Sequence, residues 1–282
     1  TIKYLKGDVM CLFGVVEKFR QGWLDMPESP ELFKYCTIGQ MCHTYFLEHY
    51  LEPNMYPCLD VCEDAYIRRA LYGGRTEVFR RIAPVGSKIH YVDVNSLYPY
   101  VMESRDLPCG DPVWHLDKSD PELFKYMNSP FPILTKACDE EYFDRVMRQL
   151  NNGENSEDLF GFFEVDVTCN AEVRYPILPE RRSTDGDKTF KNMFTNMRKT
   201  KMVYYSEELK RAILYGCVVT KVYSFCKWQR GRVYDSLISV LKKQKLLGEG
   251  KDIDGKVIPG VPKNPSLRAA AKTAQNSLFG KT

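Results

Sequence analysis

The sequence has little charge of either sign to spare: 40 lysines and arginines stand against 37 aspartates and glutamates, for a net +3. That balance excludes recognition of a polyanion by bulk basicity, so any nucleic-acid surface must come from local clustering. It also lacks an apolar run near the roughly 18 residues that a membrane span requires, and the chain reads as soluble. Thr1 to Phe19 has no basic leader, apolar core and small-residue cleavage site, which argues against a secretory signal. There is no initiator Met. Phe279-Gly280-Lys281-Thr282 carries no stop signal either, so the chain reads as an internal piece of a larger protein.

Metal-binding spacing is missing too. The ten cysteines are scattered from Cys11 to Cys226. The closest pairs, Cys36 with Cys42 and Cys58 with Cys62, have no second pair to complete a zinc site, and His43 and His49 add little. Reduced thiols in an intracellular compartment are expected, with structural zinc disfavoured. Nor is there a repeat architecture. Pro-Glu-Leu-Phe-Lys-Tyr occurs at 30–35 and again at 121–126, but two copies sharing helix-start chemistry do not make a solenoid.

What is present is ordinary globular material. The 282 residues, 44% hydrophobic and 27% charged, suffice for one large or two ordinary domains. Tyr4 to Phe19 reads as an apolar helix, and Ser29-Pro30-Glu31 as the start of a short one. Alternation predicts strands at Lys88–Val94 and Gly161–Thr168, the second in a sheet with one wet face. Glu180 to Lys191 reads as a polar mobile loop. A helix from Ser206 to Leu214, ended by Gly216, precedes a strand at Cys217–Tyr223. The C-terminal part predicts a helical hairpin: Val233 to Leu247, a loop with Gly and Pro, then a helix opened by Asn264-Pro265. Arg268, Lys272, Asn276 and Phe279 fall on one face of that second helix.

Transfer of a phosphoryl group to a polynucleotide 3′ end needs carboxylates that hold Mg²⁺ and cations that meet a triphosphate. Asp93-Val94-Asn95-Ser96-Leu97-Tyr98-Pro99 offers a carboxylate at a strand end before a Tyr-bearing turn. Lys272-Thr273-Ala274-Gln275-Asn276-Ser277-Leu278-Phe279-Gly280 offers the cationic helix face. Taken singly, each has a plain structural reading: a strand-end Asp commonly caps a turn, and a Lys/Arg face is commonly just solvated.

Together they resemble motifs A and B of the B-family DNA polymerases, Asp-x-x-Ser-Leu-Tyr-Pro and Lys-x-x-x-Asn-Ser-x-Phe-Gly, in the family's order and at roughly its separation. Tyr4-Leu5-Lys6-Gly7-Asp8 resembles the third 3′–5′ exonuclease motif. Tyr72-Gly73-Gly74-Arg75 is similar to the Tyr-x-Gly-Gly region of protein-primed members, although Leu71 replaces its first aromatic. The stretch between motifs A and B is similar to their first terminal-protein-region insertion, as in linear plasmids and Polinton/Maverick elements. Residues 26–65 and 182–200 carry no usable motif.

The resemblance implies an α/β (α+β) right-hand polymerase, with the end of an exonuclease domain and connection over 1–70 and the palm with motif A over 71–104. The insertion would occupy 105–230 and the fingers hairpin 231–282; the thumb and the third palm motif are absent. Asp93 would be catalytic and, with the Val94 carbonyl, a ligand of a two-Mg²⁺ site. Tyr98, Arg268, Lys272, Asn276 and Phe279 would bind the incoming dNTP. Tyr72, Gly73, Gly74 and Arg75 would contact DNA, and Tyr4 and Asp8 would be exonuclease remnants. Primer-template DNA is the implied partner of a monomer; a terminal protein as primer stays open, as does the compartment: nucleus for a mobile element, mitochondrion for a linear plasmid. Asp185-Gly186-Asp187 and Asp252-Ile253-Asp254 precede motif B and are rejected as the missing Asp-x-Asp, so the 282 residues alone are expected to be inactive. The alternatives are a DNA-binding relic, through Arg75, Lys272 and Lys242, Lys243 and Lys245, and a nuclease using Asp8 and Asp93 together.

Overall fold

A computed structural model describes residues 2–119, 134–153, 158–183 and 190–279. The second Pro-Glu-Leu-Phe-Lys-Tyr copy and Asp185-Gly186-Asp187 lie outside them. The chain forms two compact units, one of 1–55, 91–107 and 231–282 and the other of 56–90 and 108–230.

The first unit is helical among its described residues: α1 (Ile2–Leu24), α2 (Ile38–His49), α4 (Leu97–Ser104), α7 (Asp235–Gly248) and α8 (Pro265–Ser277). Its core gathers Trp23, Met41, Tyr45, Phe46, Leu237, Ile238, Leu241, Leu267 and Ala271, all at most 4% exposed. Each large apolar side chain buried there contributes roughly 1.5–3 kcal/mol. The polar atoms of the core aromatics are answered: Trp23 Nε1 donates to Pro30 O at 2.7 Å and Tyr45 OH to Pro27 O at 2.6 Å. The expected short helix after Ser29 is a single 3-10 turn, Leu32–Lys34, preceded by Glu31. Tyr35 turns extended at φ −122° and ψ 141°, which ends the turn after Lys34.

The helical hairpin forms where the sequence places it. Asn264 caps α8 by accepting from Leu267 N at 3.0 Å, with Pro265 in the first turn. Two glycines set how closely its neighbours approach. A Cβ at Gly22 of α1 would stand 2.3 Å from the Ser266 carbonyl carbon, and one at Gly248 of α7 2.7 Å from Arg268 N.

The second unit is a sheet with helices on both faces. β1 (Leu107–Asp117), β2 (Leu134–Cys138), β3 (Gly161–Cys169), β6 (Lys199–Tyr205) and β7 (Cys217–Gly231) lie in the order β2-β1-β7-β3-β6, while β4 (Pro179–Ser183) and β5 (Phe190–Phe194) make a separate hairpin. β1 and β2 are parallel, and β3 is antiparallel to both β6 and β7. On one face α5 (Glu140–Asn152) sets Phe143, Val146 and Leu150 at helical spacing against Phe163, Val165 and Phe225. There α6 (Ser206–Leu214) adds Leu209 and Ala212.

Several expectations are corrected here. The face of β3 expected to be wet is covered by α3 (Val61–Arg68), whose Tyr66 packs with Trp114, Phe160 and Trp228. A capping box joins Asp60 and Glu63, and Glu63 also accepts from Trp114 Nε1 at 2.6 Å, so the covering helix is tied to β1. Lys88–Val94 joins neither sheet: Ile89, Tyr91 and Val92 are 82–94% exposed, because no strand among the described residues runs beside it to take its backbone hydrogen bonds. Part of the expected loop at 180–191 is hairpin strand, from Ser183 opposite Phe190 to Pro179 opposite Phe194. The strand from Cys217 runs on to Gly231, with register shifts where it pairs with β3. Finally, Cys169 and Cys217, opposite each other on β3 and β7, are joined as a disulfide, which departs from the all-thiol expectation.

Candidate nucleotide site and nucleic-acid contacts

Asp93 lies on the exposed approach to α4, and among the described residues no cation or hydrogen-bond donor pairs with it. Ser96, left-handed at φ 51°, turns the chain into α4. That turn carries Tyr98, whose ring stacks on Phe279 at the end of α8 with centroids 3.9 Å apart and planes 26° from parallel. The two motifs thus meet through their aromatics. Both rings remain about half exposed, at 51% and 55%.

Along α8 the polar face and the buried face separate cleanly. Leu267, Ala270, Ala271 and Ala274 are buried, while Arg268, Lys272 and Asn276 are exposed. Lys272 has no carboxylate partner among the described residues. Arg268 has one: its Nε donates to Glu249 at 2.8 Å, and Glu249 also takes Lys251 at 2.9 Å. Hydrogen bonding to Arg268, then Lys251, holds the Glu249 carboxyl down at about 2. Glu249 is a site neighbour that the motifs do not point to, since it follows the end of α7 in an unremarkable Gly-Glu-Gly.

The lysines of α7 are in part engaged. Lys242 pairs with Glu103 of α4 at 2.9 Å, and Lys245 Nζ lies 3.5 Å from Ser96 Oγ. Arg232 adds a donor to Glu103 O at 2.8 Å. These contacts fasten the helix after Asp93 to the hairpin. Tyr4 and Asp8 lie exposed on α1.

The donor atoms at Asp93 and Val94 are hard oxygens, which suit Mg²⁺. They do not make up a two-metal site: no group of three or more His, Cys, Asp or Glu among the described residues could hold an ion.

In the sheet unit, Tyr72-Gly73-Gly74-Arg75 is docked against its neighbours. Tyr72 stacks on Tyr204 at 5.6 Å beneath the Arg181 guanidinium, and burial pushes its phenol up to about 12. Arg181 donates to Leu71 O, and Asn192 to Gly73 O at 3.1 Å. Arg75 donates to Pro176 O at 2.7 Å and pairs with Glu77. Gly74 alone has open space around its Cα.

The fold is mixed α/β, and the Asp93-bearing turn meets the helical hairpin through Tyr98 and Phe279. The family follows from comparison: the profile described as DNA polymerase type B, organellar and viral, matches residues 1–282, and the chain belongs to that family. A "Probable DNA polymerase" of Neurospora intermedia is 24% identical over 99% of the chain, and one of Podospora anserina 26% identical over 89%. The chain spans 24% and 17% of those relatives. Among solved structures, Phi29 DNA polymerase in an orthorhombic crystal form is 18% identical with a TM-score of 0.55, over 88% of this chain and 36% of that one. Its complex with primer-template DNA and incoming nucleotide gives 16% and 0.54, over 95% and 38%. These likenesses are of fold. Among the described residues no helix is long and apolar enough to cross a membrane.

Proposed function

We propose that these residues form the nucleotide-selecting part of a protein-primed DNA polymerase that adds dNTPs to a primer end on a DNA template. The observation that carries the reading is the Tyr98–Phe279 stack, which joins two sequence motifs into one half-exposed aromatic surface, at the end of the helix whose Lys272 has no carboxylate partner among the described residues. In this reading Lys272 and Arg268 bind the triphosphate, and Asn276 and Phe279 line the nascent base pair. Tyr98 packs under the deoxyribose and rejects a 2′-OH. Asp93 and the Val94 carbonyl supply part of an Mg²⁺ site, whose charge would steady the reacting phosphate, and the remaining carboxylate comes from outside these residues. Tyr72 to Arg75 lie along the DNA path. The 282 residues alone do not extend a primer.

The test is primer extension by the full-length gene product with Mg²⁺ and dNTPs. Asp93→Ala is expected to cost on the order of 100-fold or more in rate; unchanged extension overturns the reading. Extension by the 282-residue chain that Asp93→Ala abolishes would refute the inactivity of the segment. A second reading is DNA binding without catalysis, through Arg75, Lys272 and the α7 lysines Lys242, Lys243 and Lys245. It is favoured if salt-dependent binding occurs and no extension does.

A further inference from the structure

The sheet unit carries a surface whose composition is unusual. Segments 75–81, 174–182 and 190–194 hold seven arginines and lysines against two glutamates. Among these cations stand three exposed aromatics, Phe79, Tyr175 and Phe190. Phe79 and Tyr175 meet edge to face with centroids 4.9 Å apart, yet remain 61% and 46% exposed.

The pair is held in place from behind. Arg75 lies between Phe79 and Phe194, at 5.0 and 4.7 Å from their ring centres. Its hydrogen bond to Pro176 O, one residue after Tyr175, ties the two segments together. Arg174 lies over the Tyr175 ring at 5.2 Å, and Arg80 and Arg81 follow Phe79 at exposed positions. Arg75 is thereby a fixed brace, while Arg174, Arg80 and Arg81 have no carboxylate partner among the described residues.

Exposed rings cost free energy unless something covers them. Arginine and tyrosine are common in protein interfaces too, but the surplus of seven cations over two glutamates matches a polyanion. Duplex DNA hides its base faces in its own stack and offers nothing to such rings. Unpaired bases present a π-face for each ring and a phosphate for each neighbouring cation, the pattern by which single strands are held without sequence preference.

We propose that Phe79 and Tyr175, flanked by Arg174, Arg80 and Arg81, are a stacking platform for unpaired bases of single-stranded DNA. The inference rests on the polymerase reading only in taking the strand to be DNA template. It extends the nucleic-acid surface beyond Tyr72 to Arg75 onto residues that carry no motif.

The measurement is fluorescence anisotropy of labelled oligo(dT) with the full protein, titrated at several salt concentrations. Phe79→Ala and Tyr175→Ala are each expected to weaken binding about tenfold while leaving the salt slope unchanged, because stacking and not phosphate contact is lost. Phe79→Trp is expected to bind at least as well as the unaltered protein. Replacing Arg174 by Gln should instead lower the slope by about 0.7. Should an alanine variant melt at a lower temperature, Tyr175→Leu, which keeps bulk and removes the π-face, decides the matter with the same tenfold loss. Binding within twofold of the unaltered protein for both ring variants overturns the proposal, as does an equal loss of affinity for blunt duplex. Primer extension is followed in parallel, so a failure of the platform, seen as oligo(dT) affinity unmoved by the ring variants, and a failure of the polymerase reading, seen as no extension, give different results.

Discussion

The Tyr98 ring lies against that of Phe279 with centroids 3.9 Å apart, although most of the chain separates them in sequence. A nucleotide seated on this surface would meet both rings at once. Removing Tyr98 bulk with Tyr98→Val is expected to lower discrimination against ribonucleotides on the order of 10- to 100-fold, the scale on which one steric contact separates substrates. Phe279→Ala should raise KM for dNTPs, whereas Phe279→Tyr should leave it nearly unchanged. Steady-state incorporation of dNTP and rNTP by the full-length gene product checks both, and an unchanged ratio for Tyr98→Val would remove Tyr98 from sugar selection.

Glu249 accepts from Arg268 Nε at 2.8 Å. Its carboxyl is held at about 2 by Arg268 and Lys251, so the pair persists at neutral pH, and on the proposed reading it would open for Arg268 to meet a triphosphate. Glu249→Gln is expected to lower KM for dNTPs by about 2- to 5-fold, the worth of an exposed ion pair of about 0.2–1 kcal/mol. A rise in KM would show that Glu249 orients Arg268 for binding and does not compete for it.

Gly22 offers a sharp stability test. At an ordinary exposed helix position Gly→Ala gains about 1 kcal/mol of helix propensity. Here the new methyl would stand 2.3 Å from the Ser266 carbonyl carbon, so α1 and α8 must separate. The sign reverses: Gly22→Ala is expected to cost about 1–3 kcal/mol, seen as a lower midpoint in thermal or urea unfolding.

His115 makes the sheet unit acid-sensitive. It is 4% exposed, with Tyr142 OH at 2.9 Å from Nδ1 and no partner for Nε2 among the described residues. Burial, then Lys136 and Lys227, lowers its pKa from 6.5 to about 4. In the unfolded chain the imidazole takes up its proton first as pH falls, so stability present above 6.5 is lost progressively down to about 4. Melting temperature followed over that range should fall less steeply for His115→Gln than for the wild type. Parallel curves would assign the acid sensitivity elsewhere.

Local chemistry made much of this legible. Asn264-Pro265 announces α8 because a cap and a fixed φ act within one turn, and the same periodicity exposes Arg268, Lys272 and Asn276 together. The strand expected at Lys88–Val94 shows the limit. Its alternation is real, but a strand exists only with a neighbour to bond, and the described residues supply none. The β4–β5 hairpin escaped notice for the opposite reason: Arg181 and Arg182 look like loop, and they are held by the Tyr72 ring and the Glu180 carboxylate. The pairing of Cys169 with Cys217 was equally hidden, because it depends on the register of two strands far apart in sequence.

The sequence by itself determined the family and the helical hairpin, because motifs and caps are encoded within a few residues of one another. Only the tertiary structure decided that Tyr98 meets Phe279, that Glu249 holds Arg268, that α3 covers the second face of the sheet and that Phe79 meets Tyr175. Each of these joins residues beyond the reach of a single helical turn or strand, from 19 apart for Glu249 and Arg268 upwards. Such contacts are fixed by packing and strand register, which no local pattern of residues records.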